Sequence, residues 1–546
     1  MGVAAGLACA GQAVGFQAAA PAGQAAAPAG KLNCSVDRTA PSEADKALSA
    51  RRYSDAERLY GEALTANPAS GAAMAGLVRA SLGEDKVPEA LALAIKYQAA
   101  QPNDPMVLDA LGEVRFRRGE VDEAAMTFNK SMQLSPCLGR THYDESVYMR
   151  LSGRYGSSQR QLEVAHSLSP DNEEISRRWR QSHAVPATAE QRLEILKASL
   201  DQPELTDERK DGINAAIKGI ETREKGDCQL VQPDKEVKLP KLPIGNGGPV
   251  NSMYAAGLEV QFNGKKKRLE IDTGASGLLL SRSVAKSAGL IPELEVKAGG
   301  IGDHGPAGAF VTHVDDIRIG SMEFRNCMVS VLEHSSVLDV DGLIGPDVFR
   351  DYVVTLDIPG REVRLSPLPR RPDEQMPQIT SLDTSDDDDQ PLSQADRAKD
   401  RYIAPEMKDW TPVFRYDHFL IFPTSIGKAP AKLFIMDTGA QSGMITPDAA
   451  REVTHVSSDT DRRVKGISGE VQNVFAADHV TIAFARVKQN LDGMTSYNSA
   501  LITRRAGVEI SGLIGFPTLR ELVISIDYRD NLVNVVYDPN KGFHNH

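Results

Sequence analysis

Ile271-Asp272-Thr273-Gly274-Ala275 and Met436-Asp437-Thr438-Gly439-Ala440 are near-copies of one another in a single chain. Each closes a short apolar run, Leu269 to Ile271 and Leu433 to Met436, so each delivers an aspartate where a strand gives way to a tight turn. One such turn would mean little, because Asp and Gly are ordinary turn residues. The landmarks downstream of each copy give the pair its weight. After Asp272 come Leu278-Leu279-Leu280 and a short helix, Ser283 to Ala288; after Asp437 come Met444-Ile445-Thr446 and a helix begun by Pro447. A glycine-rich segment follows in each half: Gly299-Gly300-Ile301-Gly302-Asp303-His304-Gly305, and Gly466-Ile467-Ser468-Gly469. Then come Gly342-Leu343-Ile344-Gly345 and Gly512-Leu513-Ile514-Gly515, with Arg350 and Arg520, then Asp357 and Asp527, at matching distances beyond. This is an internal duplication of one β unit.

These residues resemble the aspartic peptidases, in which an Asp-Thr-Gly signature and an apolar-apolar-Gly element recur in each lobe. The Ala after each Gly (Ala275, Ala440) is closer to retropepsins; the run from Leu343 to Asp357 is similar to pepsin-like enzymes. The resemblance covers about half the chain. It implies a two-lobed, pseudo-twofold, all-β fold with its cleft between the lobes and Asp272 and Asp437 as an intrachain catalytic pair. Two carboxyls that close share a proton, one serving as general base on water and the other as acid toward the scissile carbonyl. By the same resemblance Thr273 and Thr438 bond across the dyad, and no metal, cofactor or covalent intermediate is required. Gly274 and Gly439 let backbone N–H groups face the carboxylates. Gly300, Ile301 and Gly302 in one half, and Gly466, Ile467, Ser468 and Gly469 in the other, are candidate flaps over a peptide or protein substrate. They lack the Tyr of pepsin-type flaps. Asp357 and Asp527 read as structural, and His304, His313, His455 and His479 as loop or surface residues.

The N-terminal half is periodic. Pro68, Pro102, Pro136 and Pro170 are each 34 residues apart, and Ala56, Ala90, Ala124 and Ser158 keep the same step, as do Tyr60, Ala94, Phe128 and Leu162. Gly119 and Gly153 share one repeat position. A small residue lets two helices close, a larger one four residues on fills the gap, and Pro stops the second helix. This resembles the tetratricopeptide repeat (TPR), with three full repeats and a partial first one. It implies an all-α solenoid, serving either as a groove for a protein partner or as a packing platform for the next domain.

The expected organisation is a signal-like N-terminus (1–36), the solenoid with capping helices (37–225), a linker with at most one edge strand (226–252), lobe 1 (253–368), an acidic linker around Asp386-Asp387-Asp388-Asp389 (369–402) and lobe 2 (403–540). The tail Pro539 to His546 is expected to fray. A net charge of −12 argues against nucleic acid or an anionic membrane as main partner, and no run approaches the roughly 20 apolar residues of a membrane span. Met1 to Ala20 is mildly apolar and ends in small residues, like the back half of a secretory signal without its basic start; the other reading is a low-complexity tail. Export to a periplasmic or extracellular space is therefore expected, with a cytoplasmic location as the alternative. Of five cysteines, Cys9, Cys34, Cys137, Cys228 and Cys327, none shows zinc-ligand spacing. Cys34–Cys137 is the first choice for a disulfide after export, with plain buried thiols as the other reading. The leading function is an aspartic endopeptidase, acting as a monomer, whose solenoid recruits substrate or partner. The alternatives are a dyad formed between two copies of the chain, and an inactive peptidase-fold scaffold in which the repeats do the work.

Overall fold

Ala56, Ala90 and Ala124 have no exposed surface, and Ala56 and Ala90 lie in apolar clusters where successive helices press together. In the computed structural model the described residues are 34–183, 188–200, 207–223, 228–231, 236–245, 253–333, 340–372, 399–498, 503 and 506–538. The leader-like segment, the Asp386–Asp389 run and the tail Pro539 to His546 lie outside them. The helices Glu43–Ser49 and Tyr53–Ala66 form a partial first pair. Three full pairs follow: Gly71–Gly83 with Val87–Ala100, Pro105–Arg117 with Val121–Leu134, and Gly139–Leu151 with Tyr155–Leu168. Tyr60, Ala94, Phe128 and Leu162, the second marker of the repeat, are all buried. Glu173–His183, Ala189–Leu200 and Asp207–Arg223 continue the helical region. Among the described residues no helix is long and apolar enough to cross a membrane.

The solenoid is docked on lobe 2 through its intra-repeat turns. Gly119 takes φ +70°, and a Cβ there would meet Glu509 O at 2.6 Å, so only glycine lets this turn approach the lobe. Arg117 O accepts Glu509 N at 2.9 Å, and one repeat later Gly153 O accepts Arg401 N at 3.1 Å. Val121 and Leu151 share an apolar cluster with Leu433, Ile435 and Leu513 of lobe 2.

Lobe 1 is a nine-stranded sheet and lobe 2 an eight-stranded one among the described residues. A six-stranded sheet joins them, with strands from both halves. At its centre Tyr352–Asp357 runs antiparallel to Leu522–Asp527, Thr355 opposite Ser525, and their hydroxyls are 2.9 Å apart. Val354, Leu356, Ile524 and Ile526 fill one core continuous between the lobes. Asp357 and Asp527 each cap the turn ending their strand, accepting Gly360 N at 2.7 Å and Asp530 N at 3.0 Å.

Residues 226–252 are more than the linker expected from sequence. Gln229–Leu230 pairs with Met322–Leu332, Val237–Pro240 with Glu362–Pro367, and Leu242–Gly245 with Met253–Phe262. Val237 and Leu239 are buried while Lys238 and Pro240 are exposed, so a period of two is present. Proline and lysine mask it because this strand lies at a sheet edge, where Pro is tolerated. The described ends of the 369–402 linker are also anchored: Asp530 Oδ1 accepts Arg371 Nη2 at 2.6 Å and Tyr402 N at 2.8 Å. Cys34 is bonded to Cys137, and a second disulfide, Cys228–Cys327, fixes the first strand after the helices to lobe 1.

Candidate active site

Each Asp-Thr-Gly turn is held by three strands. Gly342–Ile344 lies parallel to Lys265–Ile271 and antiparallel to Leu278–Ser281, so it threads between the strands entering and leaving the first turn. Gly512–Gly515 does the same between Lys432–Asp437 and Met444–Ile445, with Gly515 opposite Asp437.

The two turns meet face to face. Thr273 N donates to Thr438 Oγ1 and Thr438 N to Thr273 Oγ1, both at 3.0 Å. The Thr273 hydroxyl then donates to Met436 O, and that of Thr438 to Ile271 O, both at 2.8 Å. These four bonds are buried, and each reaches the other lobe. They bring Asp272 and Asp437 into contact with the opposite turn's glycine. A Cβ on Gly439 would lie 2.5 Å from Asp272 Cγ, and one on Gly274 2.8 Å from Asp437 Cγ. Glycine is therefore required here to seat the two carboxyls.

The carboxyls differ in surroundings. Asp272 Oδ1 accepts one amide, Gly274 N at 2.7 Å; Asp437 Oδ1 accepts two, Gly439 N and Ala440 N, both at 2.9 Å. Burial raises both above the ordinary carboxyl range. Asp437 and Glu270 push Asp272 further up, whereas hydrogen bonds and the nearby His418 pull Asp437 back. His418 itself comes from lobe 2 and bonds the first turn, Nε2 to Gly274 O at 3.1 Å, while Nδ1 is 2.9 Å from Asp417 Oδ2. Asp347 supports the same turn, accepting the Ser276 hydroxyl at 3.0 Å and Gly277 N at 3.2 Å.

The glycine-rich segments of the two lobes meet each other. Ser468 Oγ accepts Gly300 N at 3.1 Å, Ser468 N donates to Ile301 O at 3.0 Å, and His304 N donates to Ser468 O at 2.8 Å. Gly302 and Gly469 lie at positive φ in these loops, and Gly466 abuts Ile301. The tips cross over. Ile301 of lobe 1 packs on the lobe 2 cluster of Val471, Val474 and Tyr497, and Ile467 of lobe 2 packs on Leu279 and Leu343 of lobe 1.

Residues 258–348 match a family model described as aspartyl protease, and residues 47–114 match a tetratricopeptide-repeat model. The chain is an aspartic-peptidase fold joined to tetratricopeptide repeats. Over 113 residues the peptidase region is 28% identical to DNA damage-inducible protein 1 of Neurospora crassa, covering 20% of this chain and 24% of that protein. Over 117 residues it is 29% identical to the UBA domain-containing protein Mud1 of Schizosaccharomyces pombe, covering 21% and 33%. The match thus spans a quarter to a third of those relatives. Among solved structures, an aspartic proteinase from Irpex lacteus aligns with 56% of this chain and 98% of its own, at 11% identity and TM-score 0.32. A thermophilic TPR protein of Thermus thermophilus aligns with 32% and 95%, at 19% identity and TM-score 0.23.

The peptidase lobes hold site residues that motif reading passed over: Glu270, Asp347, His418 and Tyr497. Glu270 had a legible signal, a charge in an apolar run where the second copy has Ile435. The repeats hold a separate carboxylate cluster, Asp109, Glu113 and Asp144. Arg79 engages Asp109 and Glu113, and Arg140 engages Glu113, Asp144 and Glu174. It borders a cavity of about 220 Å³ lined by Tyr53, Arg79, Glu113, Arg140, Glu174 and Arg177 among others.

Proposed function

We propose that this chain is an aspartic endopeptidase using Asp272 and Asp437 as one intrachain acid–base pair, in a monomer. The observation that carries the reading is the seating of each carboxyl on the other turn's glycine, locked by the Thr273–Thr438 exchange. Two buried carboxyls this close do not both ionise, so they hold one proton between them. Two amides and the His418 cation favour charge on Asp437, whereas Asp272 accepts a single amide. Asp437 is then the general base that takes a proton from water. Asp272 donates to the carbonyl oxygen of the scissile amide as the water oxygen attacks its carbon. Collapse of the tetrahedral intermediate expels the amine, protonated by the dyad. The flaps close over the peptide with Ile301 and Ile467 as tips, and must part to admit it.

The charged cavity of the solenoid favours recruitment of a protein partner there, while its turns hold lobe 2. Two disulfides favour an oxidising compartment, hence export.

The test is hydrolysis of a mixed peptide library across pH by wild type, Asp272→Asn and Asp437→Asn. Wild type should cleave with pepstatin sensitivity, and each variant should lose about a thousandfold or more in kcat. Silence of the wild type at every pH would instead establish a peptidase-fold scaffold. Full activity in either single variant would exclude the intrachain pair.

A further inference from the structure

Along Lys265–Ile271 the side chains alternate. Leu269 and Ile271 enter the lobe core, and Glu270 takes the other face, two residues before Asp272 and so about 7 Å along the strand. In register beside Glu270 lie Gly257 on one side and Leu343 on the other, with Leu279 beyond Leu343. Those two leucines form an apolar wall with Ala309 and Leu332, and the flap tip Ile467 rests on it. Glu270 is thus a lone carboxyl on the lobe 1 wall of the cleft. It is partly exposed and has no hydrogen bond or ion pair among the described residues. The equivalent residue in lobe 2, two before Asp437, is Ile435, fully buried among apolar neighbours.

We propose that Glu270 is a specificity-determining residue that receives the ammonium or guanidinium of a substrate Lys or Arg side chain on the lobe 1 side of the cleft. The inference rests on the peptidase reading of that cleft. A carboxyl in an apolar wall is costly until it is paired. A Lys or Arg stem supplies methylenes for Leu343 and Leu279 and carries its charge to the end of the wall. Lobe 2 has no carboxyl at the equivalent position, where Ile435 is fully buried, so the two halves differ and a basic side chain is received on the lobe 1 side. Burial, and then Asp437, push Glu270 up to about 8, so an arriving cation also draws off a proton beside the dyad.

The test uses paired peptides that differ only in Lys, Arg, Gln or norleucine next to the scissile bond, and a non-cleavable hydroxyethylene pair bearing Lys or norleucine. Wild type, Glu270→Gln and Glu270→Leu are compared by the Lys/norleucine ratio of kcat/KM and, by calorimetry, of Kd. A ratio cancels any effect of Glu270 on the dyad. Wild type should favour Lys and Arg by about tenfold, and Glu270→Leu should favour norleucine. Equal ratios in all three proteins would overturn the proposal while leaving the peptidase reading intact. The Kd ratio decides the question even if no peptide is cleaved, an outcome that would count against the peptidase reading alone.

Discussion

Lys432 of the second lobe reaches Glu120 of the solenoid, Nζ to Oε1 3.0 Å, with 1% of the lysine side chain exposed. Glu452 shares the ammonium at 3.1 Å, and Arg118 bridges back to both glutamates at 2.8 Å. The repeats and the peptidase fold are therefore joined by a buried charge network as well as by Val121 and Leu151. Removing Glu120 leaves the buried Lys432 and its neighbour Arg118 to share the more exposed Glu452. Glu120→Ala should cost about 3 kcal/mol in denaturant unfolding, whereas the apolar double variant Glu120→Leu with Lys432→Met should lie near wild type. Burial alone would push Glu120 up, but Lys432 and Arg118 outweigh it and hold the carboxyl below 4.5. Its stabilisation is therefore present above that value and lost as the pH falls through the lower folded one. A wild-type loss of stability in acid that Glu120→Ala does not share is the expected signature.

Two isoleucines at the tips of the proposed flaps exchange lobes. Ile301→Ala and Ile467→Ala each remove a tip from the opposite lobe's apolar wall. Each should raise KM about tenfold, with a smaller change in kcat, because closure and not the dyad is weakened. Amide exchange at Gly300 and Ser468, whose N–H groups bond across the flaps, should speed up in both variants. Protection unchanged from wild type would show that the tips do not hold the loops together.

The dyad was readable because it is written twice. Asp272 and Asp437 stand out only when the two Asp-Thr-Gly turns and the two Leu-Ile-Gly elements are set side by side. The solenoid was readable for a similar reason, since Pro and small residues mark helix ends and contacts at a fixed step. What stayed hidden depends on partners far away in the chain. Gly119 and Gly153 share a repeat position, yet their neighbours Glu509 and Asn531 belong to the other end of the molecule. Val237–Pro240 looks like a linker because its exposed face is Lys and Pro, and only the edge of the six-stranded sheet gives it a place. Glu270 differs from the other cases. The contrast with Ile435 is in the sequence, but its meaning needs the wall that Leu343 and Leu279 make around it.

His418 lies 144 residues from the carbonyl it bonds, and no local pattern marks it. Asp417, Asp347 and Gly274 O hold it charged although burial opposes this, raising it to about 9 from 6.5. The stabilisation it gains from these partners is complete below 6.5 and lost as the pH rises through 9. Across the range where a carboxyl pair works it is therefore a cation near Asp437. Asp437 must be ionised to act as base, and a neighbouring cation eases that ionisation. His418→Gln keeps a side chain able to reach Gly274 O but removes the charge. The acid limb of kcat/KM against pH should then move up by about one unit. The alkaline limb, set by the proton on Asp272, should move less, and His418→Arg should restore the acid limb. An acid limb unmoved in His418→Gln would show that the imidazolium only braces the first turn and does not tune the base.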